Sequence, residues 1–299
     1  MSRPAASDAQ PTNDRQGRRR HASRLQAVSV RPPLHTYIAQ LWERRHFIKM
    51  QAWANAMSQH RGTFLGNLWL IAAPLLDGLM YYAIFGIIFA GNRDVPNFFG
   101  FLIIGIFIFT FTARSVTSAT RSIPSDKGLI RGFRFPRAAL PLAAVWRELI
   151  AVLPVLYVLI ILLLVVPPKA SLGFTWLLLP FILLLQVIFN LGLGFIGARI
   201  GAQLPDFQQL IPYLVRAALY GSAVLFAVDR FDNHPPLGEI VRNNPLYLIL
   251  DMNRSVLLYD DVPPLDSWLK LAAWAVGCLV FGLIFFWRAE VKYARTVLD

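Results

Sequence analysis

Residues 121–141 read RSIPSDKGLIRGFRFPRAALP, and this basic segment separates two long apolar runs. It carries five Lys or Arg residues, one acid and three prolines. The whole chain is 56% hydrophobic and only 15% charged, whereas soluble domains carry about a quarter charged residues. The basic segment is therefore a loop between membrane spans, and the sequence predicts an all-α polytopic membrane protein.

Six apolar runs are each long enough to cross a bilayer, for which about 20 residues suffice. We expect spans at about 64–90, 98–118, 140–166, 176–200, 210–228 and 268–287. Between the last two lies a Pro-rich, acidic stretch with its own apolar piece, which predicts short re-entrant helices. The expected organisation is a disordered basic cytosolic tail (1–33), an amphipathic interface helix (34–62), a six-span domain (63–290) and a cytosolic tail (291–299).

The net charge of +12 sits on the tails and on loops beside apolar runs, which argues against a nucleic-acid-binding face. Lys and Arg concentrate before residue 62, in the basic segment and after residue 287. Such residues are enriched in cytoplasmic loops, and six spans place both termini on one side. We therefore expect both termini and the basic segment in the cytosol, with residues 229–267 on the other side of the membrane.

Several kinds of chemistry have no motif in this chain. There is no GxxxxGK[ST] phosphate loop, no HExxH metal motif and no suggestive Ser–His–Asp set, and the single cysteine excludes an intrachain disulfide. The GLGFIG sequence at 192–197 lies inside a predicted span and follows no strand. It therefore predicts close helix packing rather than a dinucleotide site.

Asp77 lies near the middle of the first predicted span, where a carboxylate is costly. One interpretation is a structural contact with Arg216 of the fifth predicted span, and the other is a place in a transport pathway. Aromatic rings in the same span either pack against lipid and helices or stack on sugar rings. The candidate channel lining consists of Trp69, Asp77, Tyr81, Tyr82 and Phe85.

Three sequence pieces, in order, resemble those of type-2 ABC exporter permeases. They are LGNLWLIAAP at 65–74, GLIRGFRFPRAALPLA at 128–143 and NNPLYLILDMNR at 243–254. The branch that they resemble most exports lipid-linked polysaccharides such as O-antigen, capsule, teichoic acid or cell-wall galactan. The long basic N-terminal tail departs from the family pattern, and the resemblance assigns it no role.

The resemblance implies a homodimer of permease subunits that forms a channel, with two cytosolic ATPase subunits docked below. The chain itself would be no enzyme and hold no cofactor, because ATP and Mg belong to the ATPase subunits. The residues expected to dock these subunits are Trp42, Arg45, Lys127, Arg131, Phe133, Phe135 and Arg137. The residues expected to receive the pyrophosphate headgroup of the lipid-linked glycan are Arg61, Arg131, Arg134 and Arg137.

Other interpretations stay open at this point. The arginines of the basic segment are also explained by the excess of positive charge in cytosolic loops alone. The chain as a whole also fits an ABC permease for lipids or drugs, a membrane enzyme acting on polyprenyl-linked sugars, or a membrane scaffold without a pathway.

Overall fold

The computed structural model describes residues 32–58, 66–81, 83–84, 97–133, 135–228 and 235–290. Within these ranges every regular element is helical. Four of the helices are long and apolar enough to cross a membrane. The prediction of an all-helical, multi-pass membrane protein is confirmed.

The described ranges contain eleven α-helices, numbered here in chain order. The first six are α1 (Leu34–Glu43), α2 (Arg45–Ser58), α3 (Trp69–Tyr81), α4 (Phe98–Ser125), α5 (Lys127–Gly132) and α6 (Ala139–Val165). The other five are α7 (Leu179–Gln203), α8 (Phe207–Gly221), α9 (Pro235–Arg242), α10 (Pro245–Leu258) and α11 (Leu265–Arg288). Single 3₁₀ turns at Gly66–Leu68 and Phe174–Leu178 precede α3 and α7.

Helix α4 is the centre of the bundle, with most of its first fourteen residues buried. Asn97 begins it by accepting a hydrogen bond of 3.0 Å from the backbone N–H of Gly100, which satisfies one of the free donors of the first turn. Helices α6 and α7 pack against α4, and α11 packs against α7. Gln186 of α7 is fully buried and donates to the carbonyl of Ile108 and the hydroxyl of Thr112, both at 3.0 Å.

The glycines of the GLGFIG sequence allow helix backbones to touch, as the sequence predicts. A methyl group added at Gly192 would overlap the backbone of Cys278 on α11. One added at Gly282 would in turn overlap the carbonyl oxygen of Gly192. Further along α7, a methyl group at Gly201 would meet the carbonyl oxygen of Thr120 on α4. These positions bring α7 into backbone contact with two neighbours.

Four of the six predicted spans correspond to α4, α6, α7 and α11. The first predicted span contains α3, of 13 residues, and parts of it lie outside the described residues. The fifth overlaps α8, of 15 residues, which ends at Gly221 and is shorter than a membrane core requires. The six-span count therefore stays a prediction.

Two element boundaries differ from the sequence-based expectation. The predicted N-terminal interface helix is two helices, α1 and α2, separated at Arg44. The second predicted span ends at residue 118, whereas α4 continues to Ser125 and carries the first residues of the basic segment on its last turns. The apolar stripe alone does not show this extension, because those turns are polar.

The predicted short helices of 229–267 are present as α9 and α10. Asn244 begins α10 by accepting from the backbone N–H of Leu246 at 3.0 Å. Arg254 of α10 is buried and donates to the carbonyls of Phe101, Ala223 and Val224 at 3.2, 3.2 and 2.9 Å. It thereby joins α10 to α4 and to the turn after α8.

Candidate functional site

The end of the bundle that carries the basic segment, here called the basic end, brings three distant parts of the chain together. The Tyr37 hydroxyl of α1 donates to the carboxylate of Glu290 at 2.7 Å and accepts from the backbone N–H of Ala138 at 3.0 Å. Glu290 follows α11, and Ala138 precedes α6. All three residues are buried. Helix α1, the basic segment and the end of α11 therefore share one end of the bundle.

Arg137 belongs to the same group of contacts, which we call the Tyr37–Glu290 cluster. Its backbone N–H donates to the Glu290 carboxylate at 3.1 Å, and its guanidinium donates to the backbone carbonyl of Glu290. The Trp287 indole N–H donates to the carbonyl of Pro32 at 3.0 Å, immediately before α1. Arg137, expected at both the docking surface and the headgroup site, is thus a structural link between the basic segment and the chain after α11.

Burial raises the pKa of Glu290, and the hydrogen bonds from Arg137 and Tyr37 together with the Arg137 charge oppose this rise. Desolvation is the largest effect because a carboxylate loses its hydration at a buried position. The negative charge of Glu290 is therefore stabilised by the hydrogen bonds that Tyr37 and Arg137 donate to it.

The remaining residues expected to dock an ATPase subunit are mostly on the surface. Trp42 and Phe133 are 70% and 68% exposed. The guanidinium of Arg45 stacks 5.2 Å from the centre of the Trp42 ring, and Lys127 is exposed. Phe135 is half-buried, with its ring 6.1 Å from that of Phe47 on α2. Two large aromatic side chains without cover at a polar end form a candidate contact surface.

The expected headgroup residues lie largely beyond what the structure describes. Arg61 and Arg134 are outside the described residues, as is the side chain of Arg131. Arg137 is half-buried in the Tyr37–Glu290 cluster. Of the expected set, Arg137 is therefore the residue whose side chain the structure places.

The expected channel lining is placed in part. Trp69 and Asp77 line one small cavity of about 160 Å³ between α3, α4 and α6, together with Arg114 and Glu148. Among the described residues, Asp77 and Arg216 form no ion pair. The side chain of Tyr81 and the residues Tyr82 and Phe85 lie outside the described part of the chain.

A larger polar cavity of about 630 Å³ lies beside the small one at the basic end, between α2, α4 and α6. No sequence motif marked this cavity, because its lining comes from α2, α4 and α6, which meet only in the folded chain. Its lining is mainly polar or charged and includes Gln51, Asn55, Arg114, Thr117, Ser118, Arg121, Ser122, Ser125, Asp126, Arg147 and Glu148.

Comparison with known proteins covers most of the chain. The model of the family described as "ABC-2 type transporter" matches residues 47–258. An O-antigen export system permease protein RfbA of Myxococcus xanthus is 24% identical over 265 residues, which are 87% of this chain and 98% of that protein. A protein of the same name from Klebsiella pneumoniae is 30% identical over 188 residues, 63% of this chain and 71% of that protein.

Proposed function

The chain belongs to the ABC-2 type transporter family, and we propose that it is the membrane subunit of an ATP-driven polysaccharide exporter. Its substrate would be a glycan carried on a polyprenyl pyrophosphate. The observation that carries this proposal is the match over 98% of an O-antigen export permease, in a chain whose described part holds four membrane-length helices. The family makes this chain a transport subunit rather than an enzyme.

The finer features of the assembly are part of the same proposal. Two copies of the chain form the channel, and both termini and the basic end lie on the cytosolic side of the cytoplasmic membrane. The family resemblance and the clustering of Lys and Arg support this arrangement. The shared position of α1, the basic segment and the end of α11 agrees with it, because an even number of spans returns the chain to the side where it started.

We place the ATPase contact on the exposed aromatic and basic side chains of the basic end. Trp42 and Phe133 are uncovered there, and aromatic side chains are enriched among the residues that dominate protein interfaces. Arg45 stacks on Trp42, and the exposed Lys127 precedes Phe133 in the basic segment. Phe133→Asp should lose the ATPase subunit in a pull-down, whereas Phe174→Asp, at a 93% exposed position before α7, should retain it.

Deletion of the gene tests the function and separates it from its alternatives. If the chain exports a lipid-linked polysaccharide, the deletion strain should accumulate the lipid-linked glycan inside the cell and lose the polymer from its surface. A permease for lipids or drugs would leave the surface polymer unchanged. An enzyme acting on polyprenyl-linked sugars would leave no complete lipid-linked glycan to accumulate. The purified chain alone should show no ATP turnover.

A further inference from the structure

The polar cavity at the basic end holds two arginines that are not paired with an acid in the described part of the chain. Arg114 and Arg121 are seven residues apart on α4, so they lie on the same helical face about 10 Å apart along the axis. Both side chains are exposed to the cavity side of the helix, and neither forms a hydrogen bond or ion pair with the described residues. Their donors are therefore available to a ligand.

Arg147 is the third arginine of the cavity, and its position is held from two sides. Its Nε and Nη2 atoms donate to Glu148 at 3.1 and 2.7 Å, and Nη2 also donates to the Ser118 hydroxyl. The Ser118 oxygen accepts this bond, so its own O–H points elsewhere. Glu148 neutralises Arg147, and the two residues together form a fixed wall beside Arg114 and Arg121.

The charge balance of the cavity favours an anion. Three arginines face two acids, Asp126 and Glu148, which leaves a net charge of 3 − 2 = +1. Burial raises the pKa of Asp126, although the Arg147 charge opposes this rise. Burial thus disfavours the negative charge of Asp126, which forms no ion pair with the described residues.

The ligand chemistry follows from the donors. Guanidinium groups bind phosphate oxygens through paired N–H donors, and these charge-assisted bonds are stronger than neutral ones. The small cavity shares Arg114 and Glu148 with the polar one. Apart from these two residues, Asp77 and Thr110, its lining between α3, α4 and α6 is apolar. That lining includes Trp69, Ile106, Phe107, Phe111, Val152 and Val155. The polar cavity thus shares two lining residues with a mostly apolar one, an arrangement that suits a ligand with a charged head and a hydrocarbon chain.

We propose that the polar cavity binds the phosphate groups of a lipid-linked substrate through Arg114 and Arg121, with the start of its hydrocarbon chain in the adjoining apolar cavity. This site deepens the proposed function and rests on it for the identity of the lipid. It lies on α4 and α6, apart from the arginines of residues 131–137 that the sequence analysis expected to receive the headgroup.

Binding to the purified full-length chain in zwitterionic nanodiscs tests the proposal. The probes are undecaprenyl pyrophosphate, undecaprenol and inorganic pyrophosphate. Arg114→Gln and Arg121→Gln should each weaken undecaprenyl pyrophosphate binding about tenfold to hundredfold, because each loses a charge-assisted contact. Arg121→Lys should weaken it less, since it keeps the charge. Arg44→Gln, an exposed arginine between α1 and α2, is the matched control and should bind as wild type.

Each outcome decides something about the site. Equal binding by wild type and both glutamine variants would overturn it. Equal affinity for inorganic and undecaprenyl pyrophosphate would show a site for soluble phosphates and overturn the lipid assignment. Undecaprenol that binds as tightly as the pyrophosphate would remove the role of the arginines. The gene deletion separates the two proposals. If the deletion removes the polymer from the surface but the glutamine variants bind as wild type, the cavity proposal alone is rejected. If the deletion leaves the surface polymer unchanged, the exporter proposal is rejected whatever the cavity binds.

Discussion

Replacing Tyr37 by phenylalanine removes one hydroxyl group and leaves the buried ring in place. The hydroxyl donates to Glu290 at 2.7 Å and accepts from the N–H of Ala138 at 3.0 Å. The substitution therefore leaves a buried backbone donor without its acceptor and takes one donor from a buried carboxylate. The contacts of Trp287 with the carbonyl of Pro32 remain.

The expected cost is worked from these two lost bonds. A hydrogen bond to a charged group contributes about 1.5–3 kcal/mol, and a buried donor left without an acceptor costs about 1–3 kcal/mol. Because one hydroxyl makes both bonds, the two costs do not add fully, and we expect a total of about 2–3 kcal/mol. Each 1.4 kcal/mol is a factor of ten, so α1 should open about 30 to 140 times more often.

Hydrogen exchange measures this opening directly, since it reports local as well as global unfolding. In nanodiscs, amides of α1 and the first turn of α6 should exchange faster in Tyr37→Phe by the factor given above, whereas those in the middle of α7 should not change. Tyr157→Phe is the matched control, because Tyr157 is 58% exposed on α6. If α1 exchanges within about threefold of wild type, the hydroxyl does not hold the helix and the reasoning is refuted.

Three further predictions concern melting of the purified chain in detergent. Gly282→Ala should lower the melting temperature, because the added methyl group overlaps the carbonyl oxygen of Gly192 and overpacking costs about 1–3 kcal/mol. Gly277→Ala is the control and should not lower it, because a methyl group at Gly277 enters open space. Arg254→Met should lower it by removing three hydrogen bonds to backbone carbonyls, and a melting temperature equal to wild type would show that these bonds contribute nothing. Burial raises the pKa of Glu290 in the folded chain above its value of about 4.3 in the unfolded chain. The contribution of Glu290 to folding stability is therefore full below about pH 4.3 and is lost as pH rises through the pKa of the folded state. Glu290→Gln should therefore gain relative to wild type as pH rises, and a constant difference across pH would contradict the raised pKa.

The long apolar helices were predictable because a helix that crosses a membrane requires a continuous apolar run, which is visible in the sequence. Helices α4, α6, α7 and α11 fall within the runs that composition identifies. The packing role of the 192–197 glycines was predictable for a similar reason, since small residues inside an apolar helix have few other uses. Both the apolar helices and the packing glycines are defined by residues close together in the sequence or by contact with the membrane.

The contacts of the basic end were not predictable in this way. Tyr37 and Glu290 are 253 residues apart, and nothing local marks them as partners. Arg137 carried two expected surface roles because a charge in a loop is normally solvated, yet it contacts Glu290. Arg114 and Arg121 were visible only as charges near a loop, since the cavity between α2, α4 and α6 exists only once those helices pack.

The Tyr37–Glu290 cluster also sets an order of events during synthesis. A ribosome makes Tyr37 early and Glu290 only after 252 further residues, so α1 cannot reach its final hydrogen-bonding arrangement until the last long helix has been made. A chain that stops before Glu290 lacks the carboxylate that joins α1, the basic segment and α11. The surface at the basic end is therefore complete only on chains that have been translated through α11 to Glu290.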